Sequence, residues 1–206
     1  MIRALIYTII GYLSGSILYA NVYSRVFRTE NVAEQSRDGN PGTANAFMYG
    51  GFFMGTLTLI CDIFKGILPV LFYSYGMTPA ERASDVGLAF VVAAPLIGHI
   101  FPVFYKFRGG KGVAVTFGCL LGLIPDILPA ATLAFFFIFF SIILRIKTHF
   151  HRTIVTYLFT AAALFLLRAG LPVCVGFLLI TAAVQYKLHR STEKRQKFEV
   201  SILWMH

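Results

Sequence analysis

Along this chain, long apolar runs alternate with short polar stretches rich in glycine. A bilayer core takes about 20 apolar helical residues, and runs of that order recur from one end of the sequence to the other. The pattern predicts seven membrane-crossing helices, over about 4–24, 46–75, 83–105, 112–127, 129–145, 153–167 and 170–187. The fourth is short, and Pro125 and Pro129 mark a turn at its exit. The stretch from Ile2 to Ile10 has the look of a signal-peptide core. No small-residue cleavage site followed by a polar mature region comes after it, so it reads as the first span. With no internal repeat, low-complexity tract or linker, the expectation is one all-α integral membrane domain over 1–206.

Composition agrees with lipid as the solvent. Of the 206 residues, 57% are hydrophobic and 13% charged, where a soluble domain carries about 25% charge. The net charge of +9 raises the question of nucleic acid. The basic residues cluster between apolar runs, with no amphipathic basic helix and no zinc spacing, so nucleic acid is excluded as a partner. Their distribution sets an orientation instead. Of the 18 Lys and Arg, fourteen fall on one side of the seven spans, three (Arg3, Arg82 and Arg168) on the other, and Lys65 lies within a span. Positive residues favour the cytoplasm, so the N-terminus is placed outside and the C-terminus inside. The glycine-rich polar loops then face the cytoplasm. Cys61, Cys119 and Cys174 fall in separate apolar segments without a C-x-x-C pair, and read as apolar filler.

Six constellations carry candidate chemistry. Gly15-Ser16 lies near the cytoplasmic end of the first span, and suits close helix packing or a substrate contact by Ser16. The run Arg37 to Asn45 holds Gly39, Asn40, Pro41, Gly42 and Asn45 ahead of the second span. That helix aims its N-terminus at the loop, which favours an anion. Asp62 and Lys65, three residues apart on one helical face, are either a structural ion pair or a transporter coupling site. His99 lies between Pro95 and Pro102, and Gly109-Gly110-Lys111-Gly112 follows. Glycines let backbone approach a ligand, and Lys111 adds a cation. The nucleotide P-loop pattern is absent, because it requires Gly at 105 and Ser or Thr at 112, where Tyr105 and Gly112 stand. Arg145 opens the fifth stretch, whose His149 and His151 have no third ligand in view, so no metal is expected. His189-Arg190-Ser191-Thr192 begins a basic tail.

Taken together, these residues resemble the bacterial acyl-phosphate-dependent glycerol-3-phosphate acyltransferases over nearly the whole chain. The resemblance rests on Gly15-Ser16-Ile17, Gly39-Asn40-Pro41-Gly42 with Asn45, and Asp62 with Lys65, Gly66 and Pro69. It continues through Gly98-His99, Phe101-Pro102, Phe104 and Gly109 to Ala114, then Arg145 and His189-Arg190. It departs at Leu18, Asp38, Met48, Ser191 and Thr192, where that family has Pro, Ser, Arg, Glu and Asn, and Thr148 stands for a usual Ser. Asp38 and Met48 remove positive charge where phosphates are expected, which leaves room for a weak or silent paralogue.

The resemblance implies a multi-pass inner-membrane enzyme, monomeric, without cofactor or metal. It would move an acyl chain from acyl phosphate to the 1-hydroxyl of glycerol 3-phosphate. Lys111, Ser16, His99 and His189 are the implied catalytic residues. Phosphate binding falls to Gly39, Asn40, Gly42, Asn45, Gly109, Gly110, Gly112, Arg145 and Arg190. The backbone N–H groups of Gly39, Gly109 and Gly110 would join Lys111 on the leaving phosphate. His189 and Arg190 would take the acceptor phosphate, and His99 or the acyl phosphate itself the acceptor's proton. Ser16 has no evident His–Asp partner as a nucleophile, and no His-x-x-x-x-Asp motif occurs.

Overall fold

Every apolar run of the sequence forms a helix, although few of these helices are long enough to cross a bilayer unaided. The computed structural model describes residues 1–36, 38–191 and 197–202. Its helices are α1 (Ile2–Gly15), α2 (Tyr19–Val26), α3 (Val32–Gln35), α4 (Thr43–Ser74) and α5 (Pro79–Ser84). They are followed by α6 (Val86–Ile100), α7 (Val113–Leu121), α8 (Leu128–Ile138), α9 (His149–Leu166) and α10 (Leu171–Arg190). Strands β1 (Leu144–Ile146) and β2 (Val200–Ile202) pair antiparallel, with Arg145 opposite Ser201. Arg37 and the tail residues Thr192, Lys194 and Arg195 lie outside the described residues.

Among the described residues, three helical stretches (43–74, 86–105 and 171–190) are long and apolar enough to span a membrane, or four if α1 and α2, bent by 45° across residues 16–18, count as one. The stretch expected over 112–127 yields only the nine residues of α7. At 1.5 Å per residue that is about 14 Å, because Gly122 and Pro125 end the helix. Ile2, Phe52, Phe64, Phe72, Phe90 and Phe135 stand exposed around the bundle, a surface that lipid covers.

Helices α1 and α6 meet at backbone distance. A methyl group on Gly15 would strike the Pro95 carbonyl, and one on Gly98 the Tyr12 carbonyl. Gly66 and Gly118 bring α4 and α7 together in the same way. Small residues at crossings let van der Waals contact drive association in lipid. At the far end of these helices, Arg82 donates to the Leu123 carbonyl at 2.6 Å and to that of Ser74 at 3.2 Å, and Arg3 donates to the Tyr73 carbonyl at 2.8 Å. These guanidiniums satisfy carbonyls that helix ends leave without partners.

Helix α4 is not one rod. Gly51 has φ 79° and ψ 178°, a conformation open to glycine at little cost. The chain reverses there, as shown by Thr43 Oγ1 donating to Asp62 Oδ2 at 3.2 Å. A straight helix would hold those residues about 28 Å apart. Residues 43–50 therefore fold back along residues 52–62, with Phe47 seated where a side chain on Gly55 would be. A small core of Ala20, Val32, Ala46 and Met54 closes around this arm. The sequence pattern predicts a single span over 46–75, but the crossing helix begins only after Gly51. The first arm carries the Asn-Pro-Gly loop inward, against the bundle.

Candidate active site

The reversal at Gly51 lets two loops meet that are far apart in the chain. The first, residues 38–45 with Ser36, is braced by its own side chains. Asn40 N donates to Ser36 Oγ at 2.9 Å and to Asp38 Oδ1 at 3.3 Å. Asn45 Nδ2 donates to Asp38 Oδ1 at 3.0 Å and to the Asn40 carbonyl at 2.8 Å. The second loop, residues 106–112, lies between α6 and α7. Gly110 N donates to the His99 carbonyl at 3.1 Å, and Gly112 turns into α7 with φ 78°. Asn40 and Lys111 are 9% and 8% exposed. The loops join where Lys111 Nζ meets Asp38 Oδ2 at 2.9 Å.

Burial raises the tendency of Asp38 to hold a proton, but the hydrogen bond and charge of Lys111, with the donors of Asn45 and Asn40, outweigh it. The carboxyl is held below the usual carboxylate range. Its ion pair with Lys111 is therefore present at neutral pH, and is lost only on acidification through and below that range.

His99 backs the second loop. A methyl group on Gly110 would collide with His99 Nε2, and one on Gly109 with the His99 carbonyl. Lys65 Nζ, 3% exposed, lies 2.8 Å from Asp62 Oδ1, 2.9 Å from His99 Nδ1 and 2.7 Å from the Ile17 carbonyl. An ammonium has three protons and no acceptor, so in this ion pair all three are used. Nδ1 of His99 must accept, and Nε2, on the Gly110 side, carries the ring's proton. Asp62 and Lys65 are thus a structural pair that also fixes the tautomer of His99. Gly110→Ala should force this ring or the loop to shift. A displacement of about 1 Å costs on the order of 100-fold, so a 10- to 100-fold fall in kcat/KM is expected in steady-state assays, with little change in Tm.

Several expected site residues fall elsewhere. Ser16 is fully buried; its hydroxyl donates to the Tyr12 carbonyl at 2.8 Å and accepts from Val103 N at 3.4 Å. That role is helix packing. The Gly39 amide donates to the Ser36 carbonyl at 3.2 Å and the Gly110 amide to His99, so neither is available to hold phosphate. The amides of Val113, Ala114 and Val115 lie in the first turn of α7, where a helix provides no partner of its own. Arg145 is exposed on β1, and Arg190 is exposed at the end of α10. His189 faces the ring of Phe150 at 5.3 Å and lies 2.8 Å from the Gln185 carbonyl through Nδ1. These described contacts reach α9 and its own helix, α10.

Lys187 of α10, not singled out in the sequence, lies within electrostatic reach of Asp38, Lys111 and His99. The signal was in the periodicity. Ile180 and Val184 are buried, and Lys187 continues that face by one further turn. Met48 is 70% exposed, on the outer side of the first α4 arm.

A family model described as Glycerol-3-phosphate acyltransferase matches residues 5–197. The chain belongs to the glycerol-3-phosphate acyltransferase family. A relative of that name from Cupriavidus metallidurans is 33% identical over 193 residues, covering 91% of this chain and 89% of the relative. Another from Pseudomonas aeruginosa is 42% identical over 127 residues, and that match covers 61% of this chain and 62% of the relative. Two crystal forms of PlsY, an integral membrane glycerol 3-phosphate acyltransferase, share the fold at 26% identity. The glycerol 3-phosphate form has a TM-score of 0.75 and covers 90% of this chain and 88% of PlsY. The lysophosphatidic acid form has a TM-score of 0.73 and covers 91% and 88%. This acyltransferase chain is therefore a membrane-embedded helical protein.

Proposed function

We propose that this chain transfers an acyl group from acyl phosphate to the 1-hydroxyl of glycerol 3-phosphate, releasing lysophosphatidic acid and phosphate. Besides family membership, one observation carries the reading. Lys111, nearly buried, stands between a braced Asn-Gly loop and the open N-terminus of α7. A cation and a helix N-terminus together form an anion site, and both substrates and the released phosphate are anions.

Acyl phosphate is already activated, so no acyl-enzyme is needed. The acceptor hydroxyl attacks the carbonyl carbon, the new ester C–O bond forms, and the C–O bond to phosphate breaks. Lys111 and the first amides of α7 stabilise charge on the leaving phosphate. The hydroxyl proton ends on that phosphate. His99 does not take it, since Nε2 already carries a proton and Nδ1 is occupied by Lys65; the ring instead positions Gly110.

The same reading makes the chain one domain of seven apolar helical segments in the bacterial inner membrane, acting as a monomer. Its N-terminus is outside and its C-terminus cytoplasmic. The asymmetry of the Lys and Arg residues supports this orientation, and the loops that meet at Lys111 lie on the cation-rich side. Purified protein in detergent, given acyl phosphate with and without glycerol 3-phosphate, is expected to release phosphate only with the acceptor and to form a lysolipid. Absence of both products from folded protein would overturn the proposal.

A further inference from the structure

The most unusual feature of this anion site is that it already contains an anion. Asp38 Oδ2 is 2.9 Å from Lys111 Nζ, and the two side chains are 14% and 10% exposed. The carboxylate is tethered by Asn45 Nδ2 and by the amide of Asn40, both on Oδ1. A phosphate on Lys111 would be forced against this carboxylate unless the carboxylate moved.

Building on the function proposed above, we infer that Asp38 is a tethered competitor for Lys111. Substrate phosphate binds by displacing the carboxylate, so Asp38 sets both the affinity of the site and its preference for dianions. The displaced carboxylate is not stranded. Oδ1 keeps its two donors, and Lys187, on α10, lies within electrostatic reach of both Asp38 and Lys111. A monoanion offers Lys111 no more charge than Asp38 does, while a phosphomonoester dianion offers about twice as much. The displacement therefore selects phosphomonoesters over phosphodiesters or carboxylates. Among the described residues, the charged and titratable groups facing Asp38 are Lys111 from the glycine loop and Lys187 from α10, with His99 of α6 behind Gly110.

A phosphomonoester gains its second charge near pH 6, while Asp38 stays ionised. The wild-type KM should therefore fall steeply as pH rises from 5 to 7. In Asp38→Asn, where no carboxylate competes, the fall should be shallower. His99 is common to both proteins, so the ratio of the two profiles isolates Asp38.

The test uses full-length wild type, Asp38→Asn and Asp38→Ser in detergent. KM is measured separately for glycerol 3-phosphate and for acyl phosphate, and inorganic phosphate binding by calorimetry. The expected result is a KM about 10-fold lower for whichever substrate places its phosphate on Lys111, the order of a lost neighbouring charge. In the same variants kcat should change much less, phosphate should bind more tightly, and dimethyl phosphate, a monoanion, should become an inhibitor. If both variants fold with wild-type Tm but neither KM nor phosphate affinity improves, Asp38 is a structural ion-pair partner and the inference is wrong. If wild type shows no acceptor-dependent turnover, the proposed reaction fails. The phosphate-binding comparison then decides the role of Asp38 by itself.

Discussion

Lys111→Ala is expected to lower acceptor-dependent phosphate release by about 100- to 1,000-fold, the loss seen when one preorganised charge-stabilising donor is removed. Two effects add. The cation that stabilises the leaving phosphate disappears, and Asp38, ionised and held by Asn45 and Asn40, remains beside the empty position and repels phosphate. The double variant Asp38→Asn/Lys111→Ala separates them, since it should regain the repulsive part, about 10-fold, and no more. Lys111→Arg should restore little. A planar guanidinium differs in shape from an ammonium, and the position is 8% exposed. Single-turnover measurement of phosphate release checks all three. Near-wild-type activity in Lys111→Ala would remove the site from the loops described here.

The second large effect concerns stability. Asp62→Ala should destabilise the fold by about 3–5 kcal/mol, the cost of leaving one member of a buried ion pair alone. Lys65 is 3% exposed and directs its three protons to Asp62, His99 and the Ile17 carbonyl. Without Asp62 the ammonium has no counter-charge inside the bundle, and Thr43 loses the acceptor that closes the reversed arm of α4. Adding Lys65→Met removes the stranded charge and should return most of the lost stability, because buried pairs replaced by apolar groups are often near neutral. Activity should stay low, since His99 then has no donor at Nδ1 to hold its tautomer and orientation behind Gly110. Thermal unfolding in detergent, read together with turnover, should show this split. Recovery of both would mean that Lys65 is only a packing partner.

Hydrophobic patterning alone was enough to place the helices in lipid, because apolar run length and helical period are local properties of the chain. The residue types at 39–45 and 109–112 likewise singled out the two loops that meet at Asp38 and Lys111. Three points depended on tertiary structure. The turn at Gly51 makes residues 43–50 a folded-back arm instead of the start of a span, and a helix pattern does not reveal one left-handed residue. The pairing of Asp38 with Lys111 needs that arm and the α6–α7 loop to meet, which backbone contacts at Gly15, Gly98, Gly66 and Gly118 allow. The placement of Lys187 within electrostatic reach of Asp38 and Lys111 follows from the face that α10 turns inward. Residue types and spans come from local chemistry. Which amides are free, which cation is paired and which histidine nitrogen carries the proton depend on contacts between distant segments, and only close packing of the whole bundle determines those.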